Sequence, residues 1–159
     1  TQGYSDGTFR PLGTVNRDAM AAFLYRFAGE PAFTPPSASP FTDISPSKPF
    51  YKEITWLAST GITGGFSDGT YRPQGTINRD AMAAFLYRFA GRPSFTPPST
   101  SPFSDVTPST PFYKEITWLA QTEITGGFSD GSFRAGQPVN RDAMAAFLFR
   151  FDNKGLLPD

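Results

Sequence analysis

Apolar positions recur with a helical period in five stretches of this chain, and those stretches are of two kinds. The first kind starts at Asn16: Met20, Phe23, Leu24 and Phe27 fall at i, i+3, i+4 and i+7, one apolar stripe of an amphipathic helix. The same pattern starts again at Asn78 and at Asn140, 62 residues further on each time. Asn16 stands where an N-cap belongs, its side-chain oxygen placed to accept from the first-turn N–H groups. Val15 and Met20 predict a hydrophobic staple across that cap. Gly29 followed by Pro31 is a stop signal. The second kind covers residues 47–60, with Ser47 as the expected cap, Phe50, Ile54 and Leu57 as the buried face, and Gly61 as the end. It returns as Phe112 to Ala120. Trp56 and Trp118 lie off this stripe; each either covers a neighbouring unit or lines a groove with one ring face open.

Between the helices lie turns that repeat with the same 62-residue offset. Ser5-Asp6-Gly7 predicts a tight turn, with Gly accepting positive φ and Asp bonding local N–H groups. It returns around Asp68 and Asp130. Gly64-Gly65 and Gly126-Gly127 let the backbone turn closely just before it. Residues 31–40 and 93–102 are Pro- and Ser-rich, so they should run extended and stiff, with Phe33 and Phe41 pinning the first of them to the core.

This internal repetition predicts an all-α repeat protein built of helix–loop–helix units around one shared core. The units divide as residues 1–30 (a back half alone), 31–92 and 93–159, within one structural domain. Thr1 aligns with Thr63 and Thr125, so the first front helix is expected to be missing. The third unit departs from the others at Glu123 in place of Gly61, at Arg134-Ala135 in place of Arg-Pro, and at its end, Asp152-Asn153-Lys154-Gly155, all marks of a terminal repeat.

Charge and chemistry narrow the function. Lys plus Arg and Asp plus Glu are both 14, and no basic run or apolar span stands out, so neither nucleic acid binding nor membrane insertion is expected. With no Cys and no His, disulfides, thiolate nucleophiles, the commonest metal ligands and the usual general base are all excluded. No cofactor and no metal site is expected. Arg17, Arg79 and Arg141 each fall at the first helical position, where the positive end of the dipole makes a cation unfavourable by roughly 0.3–1 kcal/mol. Such an Arg beside unpaired N–H groups can hold an anion; equally, it can be a tolerated surface charge or pair with Asp18.

The full unit resembles the S-layer homology (SLH) domain family. The resemblance rests on Phe41-Thr-Asp-Ile44, Trp56-Leu-Ala-Ser-Thr-Gly-Ile62, Gly65-Phe-Ser-Asp-Gly-Thr-Tyr-Arg-Pro73 and Ile77-Asn-Arg-Asp-Ala81, and it covers nearly the whole chain. The family motif has Thr and Glu where this chain has Asn78 and Ala81, with an acid instead at Asp80, so the reciprocal capping box is lost. The resemblance implies a pseudo-threefold, three-pronged spindle. It also implies non-covalent attachment of an exported protein to the bacterial cell surface through secondary cell-wall polysaccharide, often pyruvylated, held in grooves between repeats. By motif position the anion contact falls on Arg17, Arg79 and Arg141. Trp56, Trp118, Gly65, Gly127, Asp68 and Asp130 are the further candidate ligand residues, although turn formation explains the two Asp residues as well.

Two other functions compete with this one. A protein-interaction or self-assembly module at the cell surface would use a partner to supply the missing front helix; a monomer is expected, with a dimer through that helix as the variant. An enzyme is the weakest reading. Glu53 and Asp68 can be imagined as an acid–base pair, but each recurs with the repeat in a capping or turn role. A calcium loop from Asp68 lacks the alternating oxygen ligands it would need.

Overall fold

The structure is a computed structural model describing residues 3–157; Thr1, aligned above with Thr63 and Thr125, lies outside the described residues. It contains α1 Arg17–Phe27, α2 Tyr51–Ser59, α3 Arg79–Phe89, α4 Tyr113–Gln121 and α5 Arg141–Asn153. Among the described residues there is no strand beyond three isolated antiparallel bridges, Thr14 with Asn140, Asn16 with Thr76 and Asn78 with Pro138. The all-α expectation therefore holds, with helices starting one residue after each of the three Asn residues.

The chain divides into two compact units, Thr1–Arg10 with Val15–Ile77 and Pro11–Thr14 with Asn78–Asp159. In the first, α1 packs on α2; in the second, α3 packs on α4. Each pair thus joins the back helix of one sequence repeat to the front helix of the next. Met20, Leu24, Ile54 and Leu57 are fully buried in the first unit, and Met82, Leu86, Ile116 and Leu119 in the second. Aromatic side chains close the pairs. Tyr25 meets Trp56 edge-on with ring centroids 5.3 Å apart, and Tyr87 meets Trp118 in the same way at 5.3 Å. The Pro-rich segments are tied down by phenol groups: Tyr25 Oη donates to the Pro31 carbonyl at 2.7 Å and Tyr51 Oη to that of Pro36 at 2.9 Å. Tyr87 and Tyr113 repeat this on Pro93 and Pro98. Phe41 is buried as expected, while Phe33 is only half-buried.

Two capping expectations are corrected. The front helix does not begin at Ser47, whose hydroxyl instead meets that of Ser45; it begins at Tyr51, after Phe50 in a left-handed conformation with φ 60°. Pro49 is the cause, because a proline disfavours helical geometry in the residue before it, here Lys48. Asn16 occupies the N-cap position but makes no side-chain cap bond. The first-turn N–H groups are satisfied by the following repeat instead: Arg17 N–H donates to the Gly75 carbonyl at 2.9 Å and Asp18 N–H to that of Pro73 at 3.0 Å. Asp18 caps its own helix by accepting from Ala19 N–H at 2.6 Å. α3 and α5 start in the same manner, on the carbonyls of Gln137 and Ala135 and of Gly13 and Pro11.

Candidate functional site

The Ser-Asp-Gly turn and the Arg of the back helix meet in both units. In the second unit the turn is built on Asp130, whose Oδ1 accepts from Ser132 N–H at 2.9 Å and Ser132 Oγ at 2.6 Å, while Oδ2 pairs with Arg134 at 3.0 Å. These bonds hold its pKa down at about 2. Asp68 does the same with Thr70 and Arg72 and is likewise held at about 2. A second acid locks the turn from outside. Asp105 accepts from Phe133 N–H and Arg134 N–H, both at 2.7 Å, and Asp43 does so from Tyr71 and Arg72. Arg134 and Arg72 have φ 58° and 59°, so these carboxylates fasten residues held in a left-handed conformation. Gly127 has φ 72°, and a Cβ there would come within 2.7 Å of the Phe103 ring, so close packing fixes this glycine.

Arg79 is buried beneath this turn. Its Nε donates to the Phe133 carbonyl at 2.7 Å, and its guanidinium carbon lies 4.8, 4.7 and 5.5 Å from the ring centres of Phe128, Phe133 and Phe147. Burial lowers its pKa, Arg134 adds to that, and the charge of Asp105 opposes it. Among the described residues no carboxylate pairs with Arg79. Arg17 has the same setting in the first unit: Nε donates to the Tyr71 carbonyl at 2.7 Å, the guanidinium sits over the Phe66 and Tyr71 rings at 4.7 and 4.8 Å, and Tyr71 Oη donates back to the Arg17 carbonyl at 2.8 Å. Neither Arg17 nor Arg79 is a surface charge. The anion site expected from free helix-start N–H groups is corrected too, since those groups already bond to loop carbonyls. What remains for an anion is the guanidinium.

Arg79 faces a cleft of about 460 Å³, lined by Thr125, Gly126, Gly127, Phe128 and Ser129 on one side and by Ala143, Ala146, Phe147 and Arg150 of α5 on the other. Arg150 steadies itself on the Ile124 carbonyl at 3.2 Å. Two cations and no carboxylate line this cleft. Among the described residues, the Gly126 N–H and the Ser129 hydroxyl have no hydrogen-bond partner and are open to an acceptor. An anionic ligand with acceptor oxygens fits that chemistry: guanidinium for the anion, backbone and hydroxyl donors for its other oxygens, while the Phe128 ring is already engaged by the guanidinium groups of Arg134 at 3.8 Å and Arg79 at 4.8 Å.

Of the residues singled out from sequence, the cleft brings together Arg79 and Gly127. Arg141, half-buried, and Asp130, exposed, both lie outside its lining. Arg17, Gly65 and Asp68 take the matching places in the first unit. Trp56 and Trp118 are buried, 8% and 4% exposed, against Tyr25 and Tyr87, so they present almost no face to a ligand. Sequence reasoning missed Arg150, Ser129 and the clamp acids Asp43 and Asp105. The signal for the clamps lay in the Phe-x-Asp pattern, and for Arg150 in a cation that recurs as Arg26, Arg88 and Arg150 beside each apolar stripe.

Fold and site define a helical repeat module with a cationic, aromatic-walled cleft. The family model for the S-layer homology domain matches residues 1–21, 40–83 and 102–145, and the chain belongs to that family. It is 26% identical over 168 residues to Cell surface glycoprotein 1 of Acetivibrio thermocellus, covering 98% of this chain and 7% of that protein. It is 30% identical over 88 residues to the Cellulosome-anchoring protein of the same organism, covering 54% of this chain and 20% of that protein. The chain therefore spans a small part of the length of both relatives. Among the described residues no helix is long and apolar enough to cross a membrane.

Proposed function

We propose that this chain is a non-covalent anchor that holds an exported protein to the bacterial cell wall by binding an anionic wall polysaccharide in the Arg79 cleft. The observation that carries this reading is Arg79 itself: a buried guanidinium with no carboxylate partner, facing a cleft that contains a second cation and no acid. The Phe133 carbonyl and the surrounding rings offset only part of its desolvation, so an anion in the cleft would offset the rest and make the charge a binding element. Family membership and the names of the two relatives support a role at the cell surface. A sugar ring bearing a carboxylate, such as a pyruvate ketal, would offer an anion to the guanidinium and acceptor oxygens to the Gly126 N–H and the Ser129 hydroxyl.

The test is sedimentation of the protein with purified cell-wall sacculi before and after the polysaccharide is stripped. Binding should be lost on stripping and weakened about tenfold or more by Arg79→Ala, with helix content unchanged by circular dichroism. Equal binding to stripped peptidoglycan would rule the polysaccharide out. A matched pair of pyruvylated and non-pyruvylated fragments decides whether the ketal carboxylate is the anion.

A further inference from the structure

Arg134 holds a conformation that its backbone does not favour. Its φ is 58°, and Arg72 and Arg10 hold 59° and 53° at the matching places. A left-handed backbone is costly for a residue with a Cβ, and glycine or asparagine would fit it more easily. The residue that follows is not the cause. A proline follows Arg10 and Arg72, but Ala135 follows Arg134, and the conformation is the same. A strained position filled by a long, charged side chain in all three turns points to a use for that side chain.

That side chain folds back over its own turn. The Arg134 guanidinium carbon lies 3.8 Å from the centre of the Phe128 ring, Nε donates to Ser132 Oγ at 3.1 Å, and the guanidinium pairs with Asp130 at 3.0 Å. Phe128 is half-buried and forms part of the cleft wall. The same ring lies 4.8 Å from the Arg79 guanidinium. Two like charges at one ring repel each other, and the Asp130 carboxylate offsets that of Arg134. The charge of Arg134 is thus already matched, while that of Arg79 remains for an anion. The first unit repeats the stack. Arg72 lies 3.9 Å and Arg17 4.7 Å from the Phe66 ring, with Arg72 paired to Asp68 at 2.9 Å.

We propose that Arg134 is a positioning residue for anion binding: by stacking on Phe128 it holds that ring against the Arg79 guanidinium and keeps the guanidinium aimed into the cleft. Arg134 acts through the ring and does not touch the ligand. Without the stack a half-buried ring is free to turn away, and Arg79 loses one of the three rings around it. The inference rests on the reading of the Arg79 cleft as an anion site.

The experiment measures sedimentation of the full chain and its variants with purified cell-wall sacculi, beside urea unfolding of each. Arg134→Gly should bind the sacculi about fivefold more weakly, the effect expected of one partly desolvated cation–ring contact. Its urea midpoint should stay at the parent's value, because glycine takes a φ of 58° without strain and so offsets the lost exposed ion pair. A midpoint that falls along with the binding makes the residue a stability element only and overturns the proposal. Arg134→Lys keeps the charge without the planar group and should not restore binding; if it binds like the parent, a point charge suffices and the proposal is overturned. In the Phe128→Leu chain, itself weakened, Arg134→Gly should add no further loss, and additive losses equally overturn it. Arg79→Ala separates the two readings. If it binds as well as the parent, the anion reading of the cleft falls and this inference with it. If it loses binding while Arg134→Gly keeps it, this inference alone falls.

Discussion

Glu123 has φ 59° at the end of α4, where the preceding repeat has Gly61 at 71°. A side chain in that left-handed region is strained, and the exposed pair it makes with Lys154 offsets little of the strain. Glu123→Gly should therefore stabilise the protein by about 1 kcal/mol, read as a higher denaturant midpoint with unchanged slope. Asp105 matters for the opposite reason. Both its oxygens hold backbone N–H groups of the turn that carries Arg134, and losing them leaves a strained turn without its fastening. Asp105→Ala should cost about 2–3 kcal/mol, with Asp105→Asn in between because one acceptor oxygen survives. Equilibrium unfolding of the two variants side by side checks the order. Neither acid's partners could be read locally: those of Asp105 lie 28 and 29 residues further along the chain, and that of Glu123 lies 31 residues on.

At the scale of elements, the helices themselves were legible and their ends less so. The i, i+3, i+4, i+7 stripe of Met82, Phe85, Leu86 and Phe89 marks a helix whatever surrounds it, and all four are buried. The Asn cap was a sound local inference that a distant loop overrode. The carbonyls of Gly75 and Pro73 reach the α1 N–H groups first, and no window of a dozen residues contains both partners. The same distance concealed the cleft, since Arg79, the turn at Gly126 to Ser129 and Arg150 converge only in three dimensions. The Pro-rich segments are expected to be stiff, and tyrosine hydroxyls bond their carbonyls at Pro31, Pro36, Pro93 and Pro98. Tyr87→Phe should lower stability by about 1 kcal/mol through loss of the Pro93 bond alone, leaving the contact with Trp118 intact. Near-ultraviolet circular dichroism should keep its Trp signal while the thermal midpoint falls.

For the whole molecule, the titrating acids fall into two opposed groups. Asp68 and Asp130 are held at about 2 by side-chain and backbone hydrogen bonds and their Arg partners, and Asp105 is also lowered: burial raises it, but the two backbone bonds outweigh that. Carboxylates lowered on folding add stability above their ordinary value of 3.8 and lose it as pH falls through the folded value. Asp18 and Asp80 are raised by burial, so they favour the folded state more as the medium turns mildly acidic. The thermal midpoint should therefore hold or rise slightly from pH 7 towards pH 4.5 and fall steeply between about pH 4 and pH 2. A decline beginning well above pH 5 would contradict this. One feature of the fold bears on how such a module can be cut. The helix pairs straddle the Pro-rich segments, so a genetic excision at a sequence-repeat boundary, in residues 31–40 or 93–102, separates α1 from α2 or α3 from α4 and leaves each half with a bare apolar face. The phase in which the motif is written is thus half a period out of step with the phase in which it folds.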